Sequence, residues 1–279
     1  MEKVSAFLRR KDIVFSPKRY FIDAMSAMAQ GLFCTLLVGT ILNTLGTQLH
    51  IGFLTDIIVT LGKGDGAVRY TIGGLCSAMV GPGMAVAIGQ ALNAPPMVLF
   101  SLIPVGFATN AMGGAGGPLA VLFVAIIAAE IGKAVSKETK IDILVTPIVT
   151  ILSGIGAAAL IAAPIGTAAS AVGKAIMWAT ELQPFFMGII VSVVIGIALT
   201  LPISSAAICA ALGLTGLAGG AAVAGCCAQM VGFAVMSFRE NRWGGLAAQG
   251  LGTSMLQMGN IVRNPRIWIP PTPVSYTHL

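Results

Sequence analysis

Sixty consecutive residues, from Tyr70 to Ala129, carry no charged side chain, and a second charge-free run of 54 residues extends from Phe185 to Phe238. A membrane-spanning helix needs about 20 predominantly apolar residues, so each run is long enough for three crossings. A soluble domain carries about 25% charged residues, whereas this chain carries 9%. The sequence therefore predicts an all-α, polytopic protein embedded in a lipid bilayer.

The charged clusters between the apolar runs divide the chain into about eight transmembrane helices. Phe21–Leu42 and Ile143–Ile165 are predicted as single spans, and each of the two charge-free runs supplies three crossings. Residues 167–183 differ from a span, because small and apolar side chains share one helical face while Lys174 lies off it. That pattern predicts one interfacial amphipathic helix.

Basic residues crowd the start of the chain: Lys3, Arg9, Arg10, Lys11, Lys18 and Arg19. Cytoplasmic segments next to spans are enriched in Lys and Arg. Residues 1–20 are therefore predicted to form a cytoplasmic basic leader that lies against the lipid headgroups. A basic patch can also bind nucleic acid, but one that adjoins a span is typical of membrane topology, and no nucleic-acid partner is predicted.

Glycine and proline interrupt several of the apolar stretches. The interruptions are GFATNAMGGAGGP at 106–118, VGPG at 80–83, and Gly245–Ile261, which is too polar and too rich in glycine for an ordinary span. Non-helical backbone at membrane depth is tolerated only inside protein or beside a cavity. Transporters build substrate sites from such discontinuous helices, so we expect broken helices or re-entrant hairpins around a binding cavity.

Amide side chains accompany these interruptions. Because an amide both donates and accepts hydrogen bonds, a cavity lined by amides suits the hydroxyl groups of a neutral sugar-like solute. Amides in a membrane bundle also hold neighbouring helices together, and both interpretations remain open. The candidate substrate-binding residues are Asn110, Gly113, Gly114, Gly116, Gly117, Gln229, Gln257 and Asn260.

The chain offers few groups for chemistry of its own. The GGAGG sequence at 113–117 lacks the Lys-Ser/Thr that completes a nucleotide-binding loop, and the five cysteines show no metal-binding spacing. No catalytic residue, cofactor or metal is predicted. Glu130 lies one helical turn before Lys133, which favours a helix-end ion pair with a snorkelling lysine over a proton relay.

Three stretches resemble a known family: KRYFIDAMSAMAQGLF (18–33), TNAMGGAGGPLAV (109–121) and QGLGTSMLQMGNIVRNPRIWIPP (249–271). They are similar to the enzyme IIC membrane subunits of the bacterial phosphotransferase system, in the branch that includes perfringolysin-regulator-like proteins. The resemblance implies a single transmembrane domain over residues 21–271, in the bacterial cytoplasmic membrane, that stops short of the family's further membrane segments. Residues 272–279 do not match it and are expected to be a non-native tail.

The resemblance also implies a function. The chain would be the sugar-binding and translocating IIC component of a phosphoenolpyruvate-dependent sugar phosphotransferase system, working as a homodimer. Separate IIB and IIA proteins would supply the phosphoryl group in trans. Two alternatives remain open: a membrane regulator or sensor that keeps the fold without transporting, and an ion-coupled secondary transporter, which the scarcity of mid-membrane carboxylates disfavours.

Overall fold

Helices form 83% of the structure, a computed structural model that describes residues 2–62, 67–180, 184–201 and 216–273. The helices of this described part are α1 (Glu2–Arg10), α2 (Lys18–Gln48), α3 (Gly52–Thr55), α4 (Ile72–Ala78), α5 (Val80–Ala91), α6 (Pro96–Gly113), α7 (Gly117–Val135), α8 (Asp142–Thr180), α9 (Pro184–Thr200), α10 (Gly216–Met236), α11 (Phe238–Gly250) and α12 (Met258–Arg263). Short 3₁₀ turns lie at Gly114–Gly116, Ser254–Gln257 and Pro265–Trp268.

Five helices of the described part are long and apolar enough to cross a membrane, and α4 with α5 forms a sixth, bent candidate. The five are Lys18–Gln48, Pro96–Gly113, Gly117–Val135, Asp142–Ala171 and Gly219–Met236. A shorter apolar helix covers Gly188–Thr200. The polytopic, all-α membrane fold is therefore confirmed. Residues 202–215 of the second charge-free run lie outside the described residues.

The charge-free run that begins at Tyr70 forms three helical segments of spanning length, as its spacing predicts. The first is the α4–α5 pair, which bends by 52° at Met79, directly before the VGPG sequence. The second and third are α6 and α7. The Lys133 ammonium near the end of α7 donates to the Leu92 carbonyl just before α6, so these two helices run antiparallel.

The GFATNAMGGAGGP segment is a turn between two helices rather than a break inside one span. It joins α6 and α7, which have 18 and 19 residues, so the expected mid-span interruption is the tip of a helical hairpin. Gly114 adopts φ +51° and ψ −124°, a conformation that disfavours any side chain. Pro118 fits the first turn of α7 because that turn needs no backbone donor.

The helix boundary predicted near Thr167 is absent. Residues 142–180 form one helix, α8, which continues through Pro147 and Pro164. The segment expected to be a separate interfacial helix is thus the continuation of α8. Its alanine-rich sequence has high helix propensity, and a proline inside a membrane helix is tolerated when nearby groups satisfy the freed backbone.

The polar segment before the charge-free run is partly extended. The strands β1 (Val59–Leu61) and β2 (Val68–Tyr70) pair antiparallel. They follow α3, which packs against Gly46 near the far end of α2. This small hairpin is the exception to the all-α prediction within the described residues.

The core lies where α2, α5, α6 and α7 cross. Met28, Met84 and Leu102 are fully buried there. Glycines bring the helices into backbone contact, since a Cβ on Gly81 of α5 would overlap the carbonyl oxygen of Gly106 on α6. Small residues at crossings are what membrane helices need, because lipid removes the hydrophobic drive for helix association.

Candidate functional site

A cavity of about 410 Å³ lies beside the tip of the α6–α7 hairpin. We call it the central cavity. Its wall is mostly aliphatic, with leucines from α2, α9 and the end of α11. Among the described residues that line it none is charged, and the polar side chains are Thr40, Ser77, Asn110 and Thr253. The lining therefore suits a neutral solute that presents both carbon-bound hydrogens and hydroxyl groups.

Irregular backbone from four parts of the chain meets at the central cavity. The first is the π-helical turn Phe33–Leu37 inside α2, and the second is the bend at Met79. The others are the Gly114–Gly116 turn and residues 251–253, which separate α11 from the next 3₁₀ turn. Helix irregularities of this kind expose backbone groups to a ligand. These four irregular segments thus border one hollow.

Asn110 is the polar side chain of this wall that lacks a partner. The Thr40 and Ser77 hydroxyls donate to the Leu36 and Gly73 carbonyls of their own helices, and the Thr253 hydroxyl accepts from a backbone amide. The half-buried Asn110 amide makes no hydrogen bond with a described residue. A side-chain amide can make up to four hydrogen bonds, so Asn110 is available to a solute.

The glycines predicted for the site divide into two groups. Gly114 lines the central cavity. Gly113, Gly116 and Gly117 are buried and serve packing instead: a Cβ on Gly116 would lie 2.8 Å from the Ile165 carbonyl oxygen, and one on Gly117 would lie 2.6 Å from Asn110 Oδ1. Because Gly117 has no side chain, the Asn110 amide can occupy this space.

Gln257 and Asn260 lie in a different hollow of about 340 Å³, which we call the polar pocket. Asn260 donates to Gln257 Oε1 at 2.7 Å. Gln229 lines neither hollow, because it is fully buried and its amide donates to Thr272 Oγ1 at 3.3 Å. The structure thus divides the candidate residues that the sequence grouped into one site. Asn110 and Gly114 line the central cavity, and Gln257 and Asn260 line the polar pocket. Most of the expected tail, residues 274–279, lies outside the described part.

Cations gather at the end of the bundle where α2 and α6 begin and α7 ends, which we call the basic end. The Lys133 ammonium, buried in the protein, contacts Glu130 Oε2 at 3.2 Å and donates to the carbonyls of Leu92 at 2.8 Å and Asp12 at 2.7 Å. Arg19 donates to the same Leu92 carbonyl at 2.6 Å. Leu92 caps the end of α5, where the helix dipole attracts positive charge. The predicted ion pair is confirmed, but its lysine is buried rather than snorkelling.

The basic leader is fastened to this end of the bundle. Arg10 and Lys11 form ion pairs with Glu138 at 2.7 and 2.6 Å, and the Asp12 carboxylate pairs with Arg19 at 2.6 Å. The sequence missed the two pairs with Glu138 because Glu138 lies more than a hundred residues from its partners. Residues 10–12 are therefore held by protein groups.

The pH dependence of this fastening follows from Asp12. Hydrogen bonds from Arg19 and then Asn93 lower the pKa of the Asp12 carboxyl from 3.8 to about 2. A lowered folded-state pKa gives a contribution to stability that is present above the unfolded pKa and is lost as the pH falls through the folded value. We expect the difference in melting temperature between wild type and Asp12→Asn to be constant above about pH 5 and to shrink between pH 4 and pH 2. A difference that stays constant down to pH 2 would contradict this assignment.

Taken together, these features define a polytopic helical membrane protein with a cavity of solute size whose described wall carries no charged side chain. Residues 22–276 match the family model described as "Phosphotransferase system, EIIC". The chain belongs to this family and is a membrane component of a sugar phosphotransferase system. No curated protein and no solved structure matches the chain.

Proposed function

We propose that the central cavity binds a sugar and that the protein carries it across the membrane as the IIC component, while a separate IIB protein phosphorylates it. The observation that carries the proposal is the Asn110 amide, which has no hydrogen-bond partner among the described residues and lines a cavity at which four irregular backbone segments meet. Amides suit sugar hydroxyls, and the aliphatic wall suits the carbon-bound hydrogens of the ring.

The segment from Leu251 to Gln257 is the element we propose to move. Its first residues line the central cavity, whereas Gln257 lines the polar pocket. Two buried atoms in this region, Gln249 Oε1 and Ser254 Oγ, have no hydrogen-bond partner among the described residues. An unpaired buried polar atom costs about 1–3 kcal/mol. Such a cost is removed if a second arrangement of the segment brings these atoms to water or solute.

We propose further that the basic end faces the cytoplasm, since Lys and Arg are enriched on that side. The leader and the polar pocket would then meet the IIB and IIA proteins, which act in trans. We also propose that the protein lies in the cell membrane of a bacterium and forms a homodimer. Because phosphorylation traps the cargo, this mode of transport needs no ion gradient, in agreement with a central cavity whose described wall carries no carboxylate.

The direct test of the sugar site is Asn110→Ala. We expect the affinity for the cognate sugar to fall about tenfold, because the lost amide leaves substrate hydroxyls unpaired. The sugar is identified by a thermal-shift screen across common sugars and the affinity is measured by calorimetry on the purified protein. The matched control is Asn43→Ala, since Asn43 pairs with Thr71 away from the cavity. Equal affinity in wild type and Asn110→Ala would remove Asn110 from the site.

Uptake experiments separate the open alternatives. Sugar uptake by a IIC component requires phosphoenolpyruvate and persists when the proton gradient is collapsed. An ion-coupled carrier shows the opposite dependence. A non-transporting regulator shows sugar binding without uptake in cells that supply the phosphoryl-carrier proteins.

A further inference from the structure

The polar pocket differs in chemistry from the central cavity. Its wall contains the carboxylate of Glu240, the guanidinium of Arg263 and a hydroxyl. It also contains the side-chain amides of Asn241, Gln257, Asn260 and Asn264. Gln257 is 6% exposed and holds Asn260 in place through a 2.7 Å hydrogen bond. Arg263 and Glu240 form no ion pair with a described residue, so both charges are free to meet a ligand.

The pocket lies toward the basic end. A Cβ on Gly259 of α12 would touch the Ser26 hydroxyl, and α12 contacts the first turns of α2. The chain from 236 to 267, which forms the wall, carries four arginines and one glutamate. The pocket lining itself holds one arginine, Arg263, and one glutamate, Glu240, and the excess of positive charge lies on the chain around it. Positive charge close to a polar hollow favours an anionic ligand.

The same stretch of chain connects this pocket with the central cavity. Residues 251–253 and Met255 line the central cavity, and Asn260 and Arg263, five and eight residues after Met255, line the polar pocket. Residues 251–263 therefore border both hollows. The two hollows differ in charge, because the described wall of the first carries no charged side chain whereas the second offers Arg263 and Glu240.

We propose that the polar pocket binds the phosphorylated cargo, a sugar monophosphate, with Arg263 and the Asn260 amide on the phosphate and Glu240 and the remaining amides on the sugar hydroxyls. The proposal rests on the proposed function. Arginine forms strong charge-assisted hydrogen bonds to phosphate oxygens, and carboxylates and amides accept hydrogen bonds from hydroxyls.

This arrangement gives transport a direction. A neutral sugar can enter the aliphatic central cavity at little desolvation cost. A phosphate ester cannot return there, because an unpaired charge in an apolar hollow is very costly to bury. Arg263 therefore retains the product on the side of the basic end until it is released.

The experiment measures binding to the purified full-length protein in lipid nanodiscs by calorimetry. The probes are glucose 6-phosphate, fructose 1-phosphate and galactitol 1-phosphate, their unphosphorylated parents, and inorganic phosphate. We expect at least one monophosphate to bind more tightly than inorganic phosphate. Arg263→Gln should weaken that binding about tenfold or more, as expected for a lost charge-assisted pair. Asn110→Ala should leave it unchanged.

The matched control is Arg266→Gln, because Arg266 is an exposed arginine three residues further on that does not line the pocket. Binding of none of the monophosphates, binding no tighter than that of inorganic phosphate, or an equal loss in Arg266→Gln would each overturn the proposal. The proposed function fails separately: it is lost if no parent sugar binds to the wild-type protein. If Asn110→Ala weakens the binding of a parent sugar while Arg263→Gln leaves the binding of the monophosphates unchanged, the sugar site is supported and the product site is excluded.

Discussion

Replacing Lys133 with methionine is expected to lower the free energy of unfolding by about 3–5 kcal/mol. The Lys133 side chain is 2% exposed and its Glu130 partner 10% exposed, so the variant leaves a carboxylate without its cation in a region that water hardly reaches. It also removes the donor to the Leu92 and Asp12 carbonyls. The measurement is thermal or detergent-induced unfolding of the purified protein.

A double variant tests the physical cause. Lys133→Met combined with Glu130→Gln removes both charges while the Tyr20 hydroxyl, 3.1 Å from Glu130 Oε1, still has an acceptor. We expect it to recover about half of the lost stability, since two neutral groups are cheaper to bury than one unpaired charge. Lys140→Met is the control at an exposed position, with an expected change within about 0.5 kcal/mol. A Lys133→Met protein as stable as wild type would show that the pair is not essential to the fold.

Gly81→Leu is expected to abolish sugar binding and to lower the yield of folded protein severely. A Cβ at this position would overlap the Gly106 carbonyl oxygen and lie 2.7 Å from the Asn110 Cβ. The α5 and α6 helices would have to separate, and the separation would displace Asn110 from the central cavity. Overpacking of this kind costs about 1–3 kcal/mol for a few added carbons, and leucine adds more volume than that.

The control for this substitution is Gly156→Leu in α8. A Cβ on Gly156 meets nothing within 4 Å, so an extra side chain projects into free space. Gly81→Ala should give an intermediate loss, because it adds the clashing atom alone. Near-equal effects of leucine at Gly81 and at Gly156, measured by melting temperature and by sugar affinity, would contradict a special role for the α5–α6 contact.

The cost of replacing a glycine depends on packing contacts that the sequence does not reveal. The sequence around Gly39 predicts an unbroken helix, so Gly39 is expected to tolerate a leucine better than Gly116 or Gly117. In the structure a Cβ on Gly39 would lie 2.6 Å from the Gly73 carbonyl oxygen, and one on Gly116 would lie 2.8 Å from that of Ile165. Both glycines are packing contacts, so the helix register of a partner decides the cost, and a single sequence does not contain that register.

The sequence predicts the positions of the interruptions better than their structural roles. Within these two segments the α-helix is interrupted at Gly114–Gly116 and at residues 251–257, because glycine and polar residues at these positions weaken it. The hairpin at Gly114 nevertheless joins two complete helices. The expected boundary near Thr167 is absent because α8 continues through Pro164.

Sequence alone determined that this chain folds in a bilayer as a bundle of helices with broken segments. Its charge-free runs are too long and too apolar to form the surface of a soluble domain, and backbone in lipid must satisfy its own hydrogen bonds. Only the tertiary structure decided which polar side chains share a hollow. Asn110 lines the uncharged central cavity while Gln257 and Asn260 line the polar pocket. The reason is geometric: which residues meet depends on the crossing points of distant helices, set by contacts such as that of Gly81 with Gly106.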